Sequence, residues 1–172
     1  GLLKSAIRDD DPVIFMESEQ MYGDKGEVPE TDEDVVIPIG KADIKREGSD
    51  VTIVSFGKII KEAYKAADEL AKEDISAEVI DLRTVRPLDY DAILESVKKT
   101  NRLVILEEAW PFGNVSTEIT YKVQEEAFDY LDAPIIKINT ADTPAPYSPV
   151  LLKEWLPSSE DVVKAVKKVM YK

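Results

Sequence analysis

The sequence predicts an α/β fold of three layers, in which helices cover both faces of a mostly parallel β-sheet with one antiparallel strand at its edge. Three observations predict this fold. Short β-branched runs such as Val51–Ser55 are bounded by polar turn residues, which is typical of buried strands. Apolar residues at helical spacing follow, as in residues 59–70. Because such strands and helices alternate, right-handed βαβ units and a parallel sheet are expected.

The central and C-terminal elements follow in order. After the helix at 59–70, residues 77–82 are predicted to form the second strand. Residues 81–89 are the corner between this strand and the second helix, and Pro87 stops the strand from continuing. Asp89 and Ser158 are placed to cap helices. The remaining predicted elements are a helix at 92–98, a strand at 102–106, a helix at 115–131, a strand at 134–139 and a helix at 158–170. Segment 141–149 contains three prolines and is expected to be irregular and fairly rigid.

The N-terminal part of the chain predicts less structure. Residues 1–7 are typical of the last turns of a helix that stops near Pro12, and residues 13–16 of a short buried strand. Because these two elements are too few for a domain, we expect them to be the tail of an upstream one. An acid-rich loop at 17–38 is interpreted as a linker. We expect residues 42–46 to fold back through the turn at 47–50 as a hairpin on Val51–Ser55, which would make the antiparallel edge.

Composition narrows the possible functions. The chain has 172 residues, 44% of them hydrophobic, a net charge of −13, and neither cysteine nor histidine. No disulfide, thiolate metal site or His-based nucleophile pair can therefore form, and the sequence does not suggest a complete enzyme. The negative charge argues against nucleic acid and anionic membranes as partners. No apolar run approaches the ~20 residues that span a bilayer, and the start of the chain lacks a basic n-region, so we expect a cytoplasmic protein.

The loop at 107–114 is the most unusual segment. It follows a predicted parallel strand, and the carboxyl ends of parallel strands are where α/β sheets place their sites. Its Trp110, Pro111 and Phe112 suggest an interface, with packing against the sheet as the alternative. Glu107 and Glu108 are not expected to work as a catalytic pair, because adjacent residues at a strand end point in opposite directions.

The run of three aspartates at 9–11 has two interpretations. Carboxylates at the C-terminus of a helix oppose the helix dipole, which a bound cation would relieve. The alternative is a solvated turn that leads into Pro12.

Three segments together carry a resemblance to a known family: residues 1–10 (GLLKSAIRDD), 81–89 (DLRTVRPLD) and 128–134 (FDYLDAP). They resemble the β subunits of the thiamine-diphosphate-dependent 2-oxoacid dehydrogenases, of the transketolase-like superfamily, over essentially the whole chain. Within that family the Trp110-Pro111 loop resembles the pyruvate dehydrogenases. Branched-chain relatives usually have a His-Glu-Ala-Pro type of loop followed by paired glycines, where this chain has Glu107-Glu108-Ala109.

The resemblance implies a transketolase C-terminal-domain-like fold for residues 39–172, a linker at 18–38 and a remnant of the upstream pyrimidine-binding domain at 1–17. It also implies an intact enzyme that binds thiamine diphosphate and magnesium, oxidatively decarboxylates pyruvate and acetylates lipoyl groups. The family's thiamine-activating glutamate has no match in this chain. The resemblance therefore assigns no catalytic or cofactor-binding residue here, and we expect the chain alone to be inactive.

The same resemblance implies partners and a metal site. The partners are an α subunit and a second β subunit in an α2β2 assembly, together with a dihydrolipoyl acyltransferase core. The ligands of the family's potassium site match Ala6, Ile7, Asp9 and Asp11, with Asp11 in place of the usual Asn and the first ligand preceding residue 1. The alternatives are a β-subunit fragment of a branched-chain 2-oxoacid or acetoin dehydrogenase, and a non-catalytic α/β binding module.

Overall fold

The structure, a computed structural model, describes residues 1–31 and 33–172. Its centre is a five-stranded sheet in the spatial order β1-β3-β2-β4-β5. Strands β2 to β5 run parallel, and β1 pairs antiparallel with β3 at the edge. The strands are β1 Asp43–Arg46, β2 Val51–Ser55, β3 Ala77–Asp81, β4 Leu103–Leu106 and β5 Ile136–Ile138. The predicted mixed sheet is therefore confirmed.

Helices cover both faces of this sheet. The helices of the described chain are α1 Leu2–Arg8, α2 Ile60–Ala71, α3 Tyr90–Thr100, α4 Val115–Ala127, α5 Pro149–Trp155 and α6 Ser159–Val169, and α2, α3, α4 and α6 are the ones that cover the sheet. The apolar faces of α2 and α6 pack on one side of the sheet, and those of α3 and α4 on the other. Strand side chains alternate between the two cores, as a pleated strand requires: Ile53 faces α2 and α6, whereas Val54 faces α3 and α4. The three-layer arrangement is thus confirmed, and among the described residues no helix is long and apolar enough to span a membrane.

The predicted hairpin between residues 42–46 and β2 is wrong. β1 pairs instead with β3, with Asp43 opposite Asp81 and Ile44 opposite Ile80. Strand β2 lies in the interior of the sheet, where β3 and β4 occupy both of its edges. The turn at 47–50 crosses the end of β3 to reach β2, and it approaches so closely that a Cβ atom on Gly48 would lie 2.1 Å from the main-chain nitrogen of Glu78.

The predicted buried strand at 13–16 is also wrong. In the described structure these residues form no strand, and Ile14 and Met16 are 89% and 87% exposed. An apolar run becomes a strand only where another strand offers its backbone groups, and within residues 1–31 and 33–172 no strand pairs with this run. The predicted helix before it is present as α1, which Lys4 and Arg8 tie to Asp34 by ion pairs.

The predicted caps form, and one helix was not predicted. Asp89 caps α3 by accepting a hydrogen bond from the amide of Ala92, and Ser158 caps α6 in a reciprocal capping box with Asp161. Helix α5 begins inside the proline-rich segment that the sequence suggested to be irregular, with Pro149 in its first turn. Proline fits there because the first turn has no intrahelical partner for its missing amide.

Candidate functional site at the carboxyl edge of the sheet

Glu107 and Glu108 follow β4 and point to opposite sides of the sheet. Glu107 is 4% exposed, and its two carboxylate oxygens accept hydrogen bonds from the amides of Val115 (3.2 Å) and Ser116 (2.9 Å). A carboxylate is favourable there because the N-terminus of α4 carries partial positive charge. On the opposite face, Glu108 lies 3.0 Å from Lys58 Nζ. The expected divergence is confirmed, and both carboxylates have structural partners.

Trp110 joins this loop to the proline-rich segment. Its indole nitrogen donates to the main-chain oxygen of Thr143 at 2.9 Å, and the indole nitrogen of Trp155 donates to the same oxygen at the same distance. The amide of Thr140 adds a backbone contact to the oxygen of Ala109. The loop at 107–114, residues 140–143 and the end of α5 are thereby held together. Trp110 remains 54% exposed, so it is not a core side chain.

Phe112 lies at the tip of the loop, with 91% of its surface accessible. The loop below it is fixed: Lys137 Nζ donates to the oxygen of Pro111 at 3.0 Å, and Asn114 caps α4 through the amide of Thr117. Gly113 supplies the positive φ of +62° that the tip needs. A rigid loop therefore presents an apolar ring to solvent, which favours the interface interpretation over the core alternative.

An open groove of about 470 Å³ lies beside this loop. It is lined by Glu107, Ala109, Trp110, Phe112, Gly113, Asn114, Val115 and Glu118. No lysine or arginine is among these residues, so the groove offers no cationic side chain to a phosphate or carboxylate. It suits an apolar side chain of a partner protein better than an anionic metabolite.

The four predicted potassium ligands lie on one exposed turn. Ala6 and Ile7 belong to the last turn of α1, where carbonyl groups lack intrahelical partners. Asp9 accepts a hydrogen bond from the amide of Asp11 at 3.0 Å. Main-chain and carboxylate oxygens are suitable ligands for a hard cation. Within residues 1–31 and 33–172, however, no group of three or more acidic side chains converges as a metal cluster would.

The corner at 81–89 binds the segment that leads into β1, residues 40–43. The sequence alone did not predict this role. Arg83 forms an ion pair with Asp43 of β1, and Thr84 Oγ1 accepts a hydrogen bond from the amide of Gly40. Asp89, besides capping α3, accepts a hydrogen bond from the amide of Ala42 at 3.0 Å. Burial raises the pKa of Asp81 at the start of the corner, although the amide of Arg83 and nearby cations oppose that shift. The contacts of Arg83, Thr84 and Asp89 join residues that are 40 or more positions apart, so the spacing of residues in the sequence could not predict them.

Residues 40–162 match the family described as "Transketolase, C-terminal domain". The chain belongs to this family. The match starts just before β1 and ends within α6, so it includes the whole sheet and the carboxyl-edge loop.

Curated relatives match over the whole chain. It is 55% identical over 172 residues to the pyruvate dehydrogenase E1 component subunit beta of Rhizobium meliloti (strain 1021), covering 100% of this chain and 37% of the relative. The subunit from Rickettsia felis is 56% identical over 171 residues (99% and 52%). The mitochondrial beta-1 subunit of Arabidopsis thaliana is 52% identical over 174 residues (100% and 48%). The chain thus spans about half or less of the length of these relatives.

Among solved structures, a protein described as "Split gene transketolase, inactive beta4 tetramer" has the same fold. It superposes with a TM-score of 0.70 at 30% identity, over 84% of this chain and 46% of its own. The transketolase C-terminal-like fold expected from the sequence is therefore confirmed.

Proposed function

We propose that this chain is the C-terminal part of the β subunit of a pyruvate dehydrogenase, and that residues 39–172 act as its assembly domain. The identity of more than half of the residues with pyruvate dehydrogenase β subunits, over the whole chain, carries this proposal. In the proposed division, residues 1–17 belong to the upstream pyrimidine-binding domain and residues 18–38 are the linker. The intact α2β2 enzyme would oxidatively decarboxylate pyruvate on thiamine diphosphate and acetylate lipoyl groups.

The chemistry of the intact enzyme would depend on residues outside this chain. The candidate site of this chain cannot hold a diphosphate with magnesium. Glu107 accepts a hydrogen bond from the N-terminus of α4 and Glu108 is paired with Lys58, so neither carboxylate is available to a metal ion. The groove also lacks a cationic side chain that could bind the diphosphate. We therefore expect the 172-residue chain to bind neither thiamine diphosphate with magnesium nor pyruvate productively. Titration calorimetry of the chain with the cofactor and magnesium tests this; a micromolar dissociation constant would contradict the assembly-domain proposal.

The Trp110-Pro111-Phe112 loop is the proposed contact with the partner subunits, namely an α subunit and a second β subunit, within an enzyme that also docks an acyltransferase core. A rigid loop with an aromatic ring 91% exposed supports this proposal. Aromatic side chains are common hot spots of protein interfaces, worth about 2 kcal/mol or more each. The split gene transketolase relative is described as a β4 tetramer, which is a precedent for assembly in a related chain.

Replacing the exposed ring tests this interface. Phe112→Ser should weaken association of the chain with itself, or with a co-expressed α subunit, while the melting temperature stays nearly constant. Tyr22→Ser is the matched control, because Tyr22 is an exposed aromatic residue of the proposed linker, 68% accessible. Light scattering after gel filtration measures the assembly. Equal association of both variants and the unaltered chain would show that the loop is not an interface.

The proposed β subunit would also bind a potassium ion at the end of α1. Its ligands in this chain would be the main-chain oxygens of Ala6 and Ile7 with the side chains of Asp9 and Asp11. Its support here is the exposed oxygen donors of one helix end next to three carboxylates. Potassium should raise the melting temperature of the intact β subunit more than sodium does, and Asp9→Ala should remove the difference.

A further inference from the structure

The two longest uncharged runs of the sequence meet at the carboxyl edge of the sheet. Charged residues make up 33% of the chain, yet residues 109–117 and 143–152 contain none over nine and ten positions. The first run includes the loop after β4 and the start of α4, and the second leads into α5. Together these two runs are termed the neutral surface. The proposed function uses only the Trp110-Pro111-Phe112 loop of this surface, so residues 143–152 have no role in it.

Indole hydrogen bonds join the two runs. Trp110 in the first run and Trp155 at the end of α5 both donate to the main-chain oxygen of Thr143 in the second run, each at 2.9 Å. Leu151 lies one helical turn before Trp155 and therefore shares its side of α5. Phe112, at the tip of the loop, is only two residues from Trp110. One surface thus extends from the loop to α5.

The neutral surface is apolar and accessible. Phe112 is 91% exposed, Tyr147 is fully exposed, and Val150 and Leu151 on α5 are 73% and 57% exposed. Helix α5 has no buried residue, so its apolar side chains belong to neither hydrophobic core. Because a buried aromatic side chain covers about 150–250 Å², the rings of Trp110, Phe112 and Tyr147 offer on the order of 500 Å². The neutral surface can therefore supply most of the roughly 800 Å² per partner that a specific interface buries.

Charged residues border the neutral surface. Asp142 precedes the second run, and Lys153 and Glu154 follow it. The amino group of Lys137, which lies under the loop, is engaged by the oxygen of Pro111 at 3.0 Å and by Thr117 Oγ1 at 2.7 Å. Specific interfaces have the same arrangement, with few charges at the centre and a polar rim.

We propose that the neutral surface docks a second copy of this chain across a two-fold axis, with α5 of one copy against α5 of the other. The proposal rests on the proposed function in taking the Trp110 loop as an interface, and it names the occupant of that site. Each copy carries a net charge of −13, so two copies repel one another unless the surfaces that touch are uncharged. Near a two-fold axis each residue meets its own counterpart, and a charged residue there would face a like charge. A basic partner would instead require acidic residues, which the neutral surface lacks.

The salt dependence of self-association tests the identity of the occupant. Sedimentation equilibrium of the 172-residue chain should show a dimer that becomes tighter between about 0.01 M and about 1 M salt, where the screening length falls from about 30 Å to about 3 Å. Salt screens the repulsion between the two acidic copies, and an apolar contact does not depend on charge pairs. A chain that stays monomeric at both salt concentrations, or a dimer that weakens with salt, would overturn the second copy as the occupant. Contact of the Trp110 loop with an α subunit would still be tested separately by Phe112→Ser.

One substitution at two exposed valines tests the location of the interface. Val150→Glu places a like charge on both sides of the axis and should raise the dissociation constant of the dimer about tenfold or more. Val28→Glu, at an 81% exposed position of the proposed linker, adds the same charge and should not. Both variants should melt like the unaltered chain, because neither valine belongs to a hydrophobic core. Equal dissociation constants for the two variants would refute the proposal.

Mixing oppositely charged variants tests the two-fold arrangement. Val150→Glu and Val150→Lys should each associate poorly alone, whereas an equal mixture should recover the dimer, because opposite charges then face each other across the axis. No recovery in the mixture would exclude the contact between the two α5 helices. If Val150→Glu lost only the binding of a co-expressed α subunit and kept its self-association, the occupant would be that subunit. The second copy would then be wrong and the proposed function would stand.

Discussion

Trp110 and Trp155 donate their indole N–H groups to one acceptor, the main-chain oxygen of Thr143, each at 2.9 Å. One side chain comes from the loop after β4 and the other from the end of α5, so a single carbonyl group joins two segments that are 45 residues apart in sequence. Because α5 has no buried residue, these contacts and the bond from the amide of Ala141 to the oxygen of Trp155 hold it in place. The position of the carboxyl-edge loop thus depends on the proline-rich segment.

Trp110→Phe should separate the contribution of the hydrogen bond to stability from that of the aromatic surface. The variant loses one hydrogen bond but keeps an aromatic surface, so we expect the free energy of unfolding to fall by about 0.5–1.5 kcal/mol. Trp110→Ala should cost less than the roughly 3–5 kcal/mol of a core aromatic truncation, because more than half of the side chain is already exposed. Urea denaturation measures both values. Trp155→Phe is the matched control, since it removes the other hydrogen bond to the same oxygen. A core-sized loss for Trp110→Ala with unchanged association would refute the interface interpretation.

Gly48→Ala should prevent folding or destabilise the chain severely. The new methyl group would lie 2.1 Å from the amide nitrogen of Glu78 and 2.2 Å from the carbonyl carbon of Ala77, and backbone atoms cannot move aside as a flexible side chain can. Gly26→Ala is the control, because the space around Gly26 is open and its φ is not in the left-handed region. Circular dichroism and soluble yield compare the two variants. Normal stability of Gly48→Ala would mean that the turn does not cross β3 so closely.

The central elements could be predicted because their signals are local. The six apolar positions of residues 59–70 are all buried in α2 or the turn before it, and both predicted caps form. The pairing of β1 with β3 could not be predicted, since it joins residues such as Asp43 and Asp81 that are 38 positions apart, and since β3 and β4 occupy both edges of β2. Helix α5 was missed because Pro149 signals a break unless the first-turn position is recognised.

The candidate site was predicted in its location and not in its contacts. Sequence order places loop 107–114 at the carboxyl end of a parallel strand, and the divergence of Glu107 and Glu108 follows from strand geometry. The partners of Glu108 and Trp110 could not be predicted. Lys58 precedes Glu108 by 50 residues, and Thr143 follows Trp110 by 33. Such pairs depend on which strands become neighbours in the sheet, and the spacing of residues within one helix or strand does not show the order of the strands.

The capping box of α6 should make stability depend on acid. Hydrogen bonds from the hydroxyl and amide of Ser158 lower the pKa of Asp161, despite some opposition from burial. Because the pKa is lower in the folded state, Asp161 stabilises the fold fully above its unfolded value of about 3.9, and this contribution is lost as the pH falls through the folded value. Ser158→Ala should cost about 1 kcal/mol at pH 7 and less at pH 2 to 3. Ser159→Ala, at the first helical position, is the control; an equal loss at both pH values would mean that the cap does not involve the charged carboxylate.

The rate of amide hydrogen exchange should differ between the residues before Pro38 and residues 40–172. In the described part of residues 1–36 no side chain is buried, and the contacts there are exposed ion pairs such as Lys4 with Asp34, which are worth at most about 1 kcal/mol. Residues 40–172 contain the whole sheet and both hydrophobic cores. We therefore expect amides before Pro38 to exchange within the fast phase, and those of β2 and β4 to need global unfolding. Measurement at several protein concentrations separates this result from protection by self-association. Strong protection of residues 13–16 that persists on dilution would show that the N-terminal part belongs to the stable unit.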